Sequence, residues 1–279
     1  MRLGIMKDLG IKEPMEWAEK MKSLGCGCVA FPVDYTSDEK TIQAYVDAAE
    51  HYGLTIAEVG VWCNPLAGDR AEREEAMRRC KGQLRLADRI GANCCVNVAG
   101  TPGAWWAGAY RENFAEETWR QTVLAIQEII DDVKPEHTWY TIEAMPAMFP
   151  MNPQQYLLLI EAVERERFAV HMDVFNWITD PVKYFYHEQF MEECFEMLGP
   201  YIKSCHLKDI SLLKEPNFQL KEVPCGDGEL SLEKYAHLAE ACSPDMPMII
   251  EHLKSKEEYI RSVGYIKERF LRAGITLKN

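Results

Sequence analysis

A single closed (β/α)8 barrel, an α/β fold, is what this sequence predicts, on three observations. Short apolar segments alternate with amphipathic ones eight times along the chain, the pattern that parallel α/β folds produce. The 279 residues, 47% of them hydrophobic, can bury one large core, so residues 1–279 read as one domain rather than two small ones. No Gly-rich dinucleotide fingerprint follows the first strand, as an open doubly wound sheet would ordinarily carry.

The expected strands are Leu3 to Met6, Cys28 to Pro32, Thr55 to Val61, Asn93 to Val98, Tyr140 to Ala144, Ala169 to Asp173, Ile202 to Lys208 and Met248 to Glu251, each followed by a helical pattern. The third of these helices runs from about Arg70 to Ile90, with Met77, Leu84 and Leu86 among many charges and Gly91 as its stop signal. Asn152-Pro153 opens the fifth, with Pro at the first helical position, and Leu157 to Val163 would give it an apolar stripe. No linker, low-complexity run or compositional break marks a boundary.

Composition narrows the function. A formal charge of −13 and a pI near 5.1 oppose the attraction that nucleic-acid binding draws from phosphates. No run reaches membrane-spanning length, and Lys7 and Asp8 interrupt the opening Met-Arg-Leu-Gly-Ile-Met before a signal peptide can form. Ten scattered cysteines with no CxxC pair suit reduced thiols in a cytoplasmic protein.

In a closed parallel barrel the chemistry lies at the C-terminal strand ends. Four late strands end in Thr-Ile-Glu143-Ala, His171-Met-Asp173-Val, Cys-His206-Leu-Lys208-Asp209 and Ile-Ile-Glu251-His252. Residues two apart share a face, so His171 is expected beside Asp173 and Lys208 beside His206. Spacings of 30, 33 and 45 positions place Glu143, Asp173, His206 and Glu251 on strands five to eight, since a βα unit takes about 30 residues or more. Alone, each would be an ordinary half-solvated carboxylate or a satisfied core histidine. Together, three converging carboxylates need a compensating cation, and an O3N set suits one divalent Mn, Mg, Co or Zn.

This arrangement resembles the metal site of the xylose isomerase-like TIM barrels, a superfamily that includes ketose 3-epimerases, inosose dehydratases, hydroxypyruvate isomerases and the endonuclease IV group. The likeness spans the chain in strand order, and Pro224-Cys-Gly226-Asp-Gly228-Glu-Leu is similar to the Gly-x-Gly turn before the seventh helix, though a plain turn supplying φ > 0 positions is the better reading of it. The resemblance implies that Glu143 and Glu251 flank a sugar and exchange a proton next to its carbonyl, with the cation on the sugar oxygens.

Two positions depart from the ketose 3-epimerases. Asn176 stands where they place a substrate-binding His, and no Arg follows the metal His between Leu207 and Leu213. His206-Leu-Lys208-Asp209 is closer to the inosose dehydratase branch, in which Lys208 would support loss of water; an ion pair with Asp173 or Glu251 is the alternative. With only His171, His206 and His252 near strand ends, a trinuclear zinc cluster of the endonuclease IV kind is not expected. His171 reads equally as a partner behind the metal ligands, a substrate contact or a buried structural residue.

Phe31, Trp62 with Asn64, and Trp105, Trp106 and Tyr110 fall in loops at the same mouth. Such residues suit a sugar ring or an aromatic glycoside, or else a lid or a subunit interface. Asp227 and Glu229 beside the only late Gly-rich turn would repel a phosphate, so an unphosphorylated sugar or polyol is expected. The resulting expectation is a metal-dependent isomerase or epimerase; a lyase or dehydratase on a 3-keto sugar or inosose, and a non-catalytic barrel subunit, are the alternatives. A homo-oligomer is compatible with the chain but has no signature in it.

Overall fold

The computed structural model describes residues 1–279. Strands β1 (Arg2–Ile5), β2 (Cys28–Ala30), β3 (Thr55–Gly60), β4 (Cys94–Asn97), β5 (Tyr140–Glu143), β6 (Phe168–Met172) and β7 (Ile202–Leu207) precede a hairpin of β8 (Asp209–Leu212) and β9 (Leu220–Val223), and β10 (Pro247–Ile250) follows. Eight of them form one parallel sheet in the order β1-β10-β7-β6-β5-β4-β3-β2. The sheet curls into a nearly closed barrel whose seam lies between β1 and β2. There Gly27 N donates to Leu3 O at 2.8 Å, and a Cβ on Gly4 would meet Cys28 O at 2.4 Å, so only glycine allows this approach.

Helices α1 (Pro14–Leu24), α2 (Glu39–His51), α3 (Arg70–Arg89), α4 (Glu116–Val133), α5 (Pro153–Val163), α6 (Pro181–Phe185), α7 (His187–Leu198), α8 (Leu232–Cys242) and α9 (Lys256–Arg272) surround the sheet. Local chemistry starts them. Asp38, Asp69, Asn152 and Ser255 cap the first turns of α2, α3, α5 and α9 through their side chains, each satisfying a backbone N–H that has no partner within the helix. After α3 the chain turns through Gly91 at φ 67°, as its position in the sequence predicts.

One continuous apolar core, including Trp17, Tyr156, Trp177 and Phe270, fills the space between sheet and helices. The barrel interior differs. A small apolar group of Cys28, Ala57 and Ile249 gives way to the buried polar side chains of Glu58, His171, Ser204 and His206. This polar layer stands where barrels commonly stack branched aliphatic residues.

Two sequence expectations need correction. Strand ends are shorter than expected, so Asp173, Lys208 and Glu251 each lie one residue beyond the last paired strand position. The β8–β9 hairpin is inserted between the seventh barrel strand and its helix α8, and β10 is therefore the eighth barrel strand. Helix α3 runs over Arg70–Arg89 with Ile90 as its cap, in keeping with the expected span.

Candidate metal centre

Glu143 ends β5, Asp173 follows β6, His206 lies in β7 and Glu251 follows β10. All four are buried, at most 3% exposed, and one donor atom from each lies within 4.8 Å of the others. Asp173 also caps the short 3-10 turn Val174–Trp177, its Oδ1 accepting from Phe175 N at 3.0 Å and Asn176 N at 3.3 Å. That cap fixes the carboxylate and leaves Oδ2 for the centre.

His206 Nδ1 is 3.0 Å from Glu251 Oε2, 3.3 Å from Glu143 Oε1 and 4.0 Å from Asp173 Oδ2. Despite these approaches, neither Nδ1 nor Asp173 Oδ2 makes a hydrogen bond. Buried donors that converge without bonding one another match a cation cage, because a buried polar atom otherwise has a partner. The three oxygens and one imidazole nitrogen therefore fit a divalent ion.

A buried lysine, Lys208, also reaches the centre. Its Nζ is 2.8 Å from Glu251 Oε1 and 2.8 Å from Asp173 Oδ2, the latter an ionic approach without hydrogen-bond direction. Glu222 Oε1 of β9 lies 3.0 Å away, and Asn176 Oδ1 accepts at 3.0 Å. Both alternatives raised for the ion pair of Lys208 thus hold at once. Against this ammonium stand four buried carboxylates, Glu58, Glu143, Asp173 and Glu251, an excess of negative charge that a protonated His206 does not cancel.

These neighbours set the titration. Burial raises the Asp173 carboxyl to about 7, against the pull of Lys208. For His206 burial opposes the charge, but Glu251, Glu143 and Glu58 outweigh it and hold the imidazole well above its ordinary range. Burial is likewise outweighed at Glu251, which His206 and Lys208 hold well below the usual carboxylate range.

Asn176 joins the centre: its Nδ2 donates to Glu143 Oε1 at 3.0 Å and to Ala144 O at 2.9 Å. Trp62 stacks on His206, with ring centroids 6.0 Å apart at 29°, and holds φ 50°. His252, at φ 56°, contacts Glu222 at 3.0 Å and Glu251 at 3.4 Å. Two left-handed non-glycine residues at one mouth are strain of the kind held at functional sites. A cavity of about 590 Å³ opens here, lined by Phe31, Trp62, Trp106, Glu251 and His252 among others. A second, of about 250 Å³, lies on the other flank between Asn176, Glu222 and the apolar Phe175, Phe218 and Leu220. A groove of about 670 Å³ outside the barrel between α3 and α4 lies away from the strand ends and holds none of this chemistry.

Three proposed substrate contacts do not line the cavity. His171 is fully buried inside the barrel, its Nδ1 2.5 Å from Ser204 Oγ and its ring 4.0 Å from that of His206, so it stands behind the ligand set and not in the opening. Asn64 is buried and spent on the loop, donating to Thr101 O at 2.8 Å and accepting from Thr101 N at 2.9 Å. Trp105 is 63% exposed, while its neighbour Trp106 lines the cavity; Tyr110 OH accepts from Trp105 N and shapes that loop. Sequence reasoning missed Glu58 and Glu222. Glu58 left a signal as the one charge inside the apolar run Thr55 to Val61; Glu222, on a polar hairpin, left none.

The model of the xylose isomerase-like TIM barrel family matches residues 18–269. The chain belongs to that family. Its likeness to solved structures lies in the fold. One is D-psicose 3-epimerase with D-tagatose from Clostridium cellulolyticum H10, at TM-score 0.72 and 12% identity, covering 98% of this chain and 99% of that one. Another is the probable 3-DHS dehydratase AsbF of petrobactin synthesis from Bacillus anthracis, at 0.73 and 15%, covering 98% and 99%. A xylose isomerase-like TIM barrel protein from Mycobacterium smegmatis, in complex with magnesium, matches at 0.69 and 16%, covering 93% and 88%. A comparison with curated proteins finds no match. No helix is long and apolar enough to cross a membrane.

Proposed function

We propose that residues 1–279 act as one barrel domain, a divalent-metal-dependent isomerase or epimerase that moves a proton next to the carbonyl of an unphosphorylated sugar or polyol. The observation that carries this reading is the cage of four buried donors with Glu143 and Glu251 on two of its sides. Glu143, Asp173, His206 and Glu251 would hold a divalent cation, which would supply Lewis-acid polarisation of a carbonyl oxygen. One carboxylate takes the proton from the adjacent carbon, and the other returns a proton there. Asn176 holds Glu143 in place, and Lys208 holds Glu251. Trp62, Trp106 and Phe31 offer flat apolar faces to a sugar ring.

The engagement of the late Gly-rich turn by this chain's own side chains supports the choice of an unphosphorylated substrate. In the late Gly-rich turn the N–H groups of Gly226 and Gly228 already donate to Asp209, at 3.0 and 3.2 Å. Asp227 is paired with Arg261, and Glu229 accepts from Tyr184 at 2.9 Å.

A dehydratase or lyase is favoured by one observation, the Lys208 ammonium buried against Glu251, since a cation can stabilise charge on a departing oxygen. Manganese-loaded protein is incubated in deuterated water with ketoses and ketoinositols, and deuterium in recovered substrate is compared with product. Epimerisation conserves the formula; elimination gives an enone absorbance or a free leaving group. In Lys208→Met, elimination should slow more than exchange if the leaving-group role holds, whereas parallel loss of both contradicts it. Absence of exchange with every such substrate contradicts the proposal as a whole.

A further inference from the structure

Glu58 lies in β3 inside the barrel, with no exposed surface, and neither of its oxygens has a hydrogen-bond partner. An isolated buried carboxylate is costly, so a group left in this condition demands an explanation. Its Oε1 is 3.6 Å from His206 Nε2, and its Oε2 is 3.8 Å from His171 Nδ1. His206 Nε2 also lacks a partner, whereas His171 Nδ1 is already engaged with Ser204. The His206 ring is bounded on one side by Trp62 and met edge-on by His171 at 4.0 Å. The free nitrogen of His206 and the free oxygen of Glu58 thus face one another across a gap of 3.6 Å.

We propose that Glu58 is a positioning residue for the metal site: it holds the His206 proton on Nε2 and so presents the Nδ1 lone pair to the cation. The inference rests on the metal reading above and deepens it. An imidazole carries one proton when neutral, and the group facing one nitrogen decides which nitrogen is left to ligate. Nδ1 faces Glu143, Asp173 and Glu251; Nε2 faces Glu58. A second ion among Glu58, His171 and His206, whose donors also lie within 4.8 Å, would require His206 to lose both ring protons and bridge two metals. A proton on Nε2 satisfies the same atoms without that cost.

The test is calorimetric titration of chelator-treated protein with manganese for wild type, Glu58→Leu and the near-isosteric Glu58→Gln. Affinity should fall about 10- to 100-fold in Glu58→Leu, and less in Glu58→Gln, whose amide oxygen still accepts. If the Leu variant does not fold, the Gln variant carries the affinity test. Nitrogen-15 spectra of the zinc-loaded wild type should place the His206 proton on Nε2. Unchanged affinity in the folded variants overturns the inference, as does a proton on Nδ1. Two manganese ions in wild type, one of them lost in both Glu58→Leu and His171→Leu, would make Glu58 a ligand instead. A wild type that binds no divalent cation would overturn the metal reading itself.

Discussion

Lys208 shows most directly how side-chain chemistry and function meet here, because it shares oxygens with the cage that a cation would use. Removing one partner of a buried ion pair costs about 3–5 kcal/mol. Lys208→Met should therefore destabilise the metal-free protein on that scale, and less once manganese neutralises the carboxylates; denaturant unfolding with and without metal measures both. Glu143→Gln and Glu251→Gln should keep the wild-type fold by circular dichroism yet lose about 100-fold or more in proton exchange. Asp173 sets a pH dependence. Its carboxyl moves from 3.8 to about 7 on burial, so the stability it contributes is complete below its unfolded value and is lost as pH rises through about 7. Wild type minus Asp173→Asn, compared without metal, should decline across that window, while manganese affinity rises through it as protons leave; a flat difference contradicts the assignment. Glu143, Asp173, His206 and Glu251 were legible in the sequence because each closes an apolar run on consecutive strands. Asn64 and Trp105 were not, since strand periodicity says nothing of where a loop side chain points. Glu58 was hidden in mid-strand, where only its interruption of apolar residues gave it away.

At the scale of elements, the β8–β9 hairpin delivers Glu222 to Lys208 and His252 and roofs one flank of the centre. Asp209 anchors it. Its carboxylate accepts from the backbone N–H groups of Ile210, Gly226, Gly228 and Leu230. Hydrogen bonds to a charged acceptor are worth about 1.5–3 kcal/mol where buried, so Asp209→Ala should release the turn. Hydrogen exchange should then quicken over residues 209–230 while the barrel strands stay protected; unchanged protection would show that the hairpin holds without this anchor. The barrel was readable because its strands are apolar runs closed by turn signals. The hairpin was not, since Lys221 and Glu222 on β9 are exposed and break the alternation. Its one trace is the spacing of 45 positions between His206 and Glu251, against 30 and 33 for the preceding steps.

Across the whole molecule, a nearly closed parallel sheet brings residues more than a hundred positions apart to one point at its C-terminal rim. The excess negative charge gathered there opposes folding without a counter-ion, so metal should bind the folded chain far better than the unfolded one and raise its melting temperature. The account stands on that cation. The direct test is metal analysis of chelator-treated protein reloaded with manganese, beside Asp173→Asn and His206→Ala. The account predicts one manganese per chain in wild type, at least about tenfold weaker binding in either variant, and a melting temperature that rises with metal in wild type. No bound metal in wild type, or equal binding in all three proteins, would contradict it.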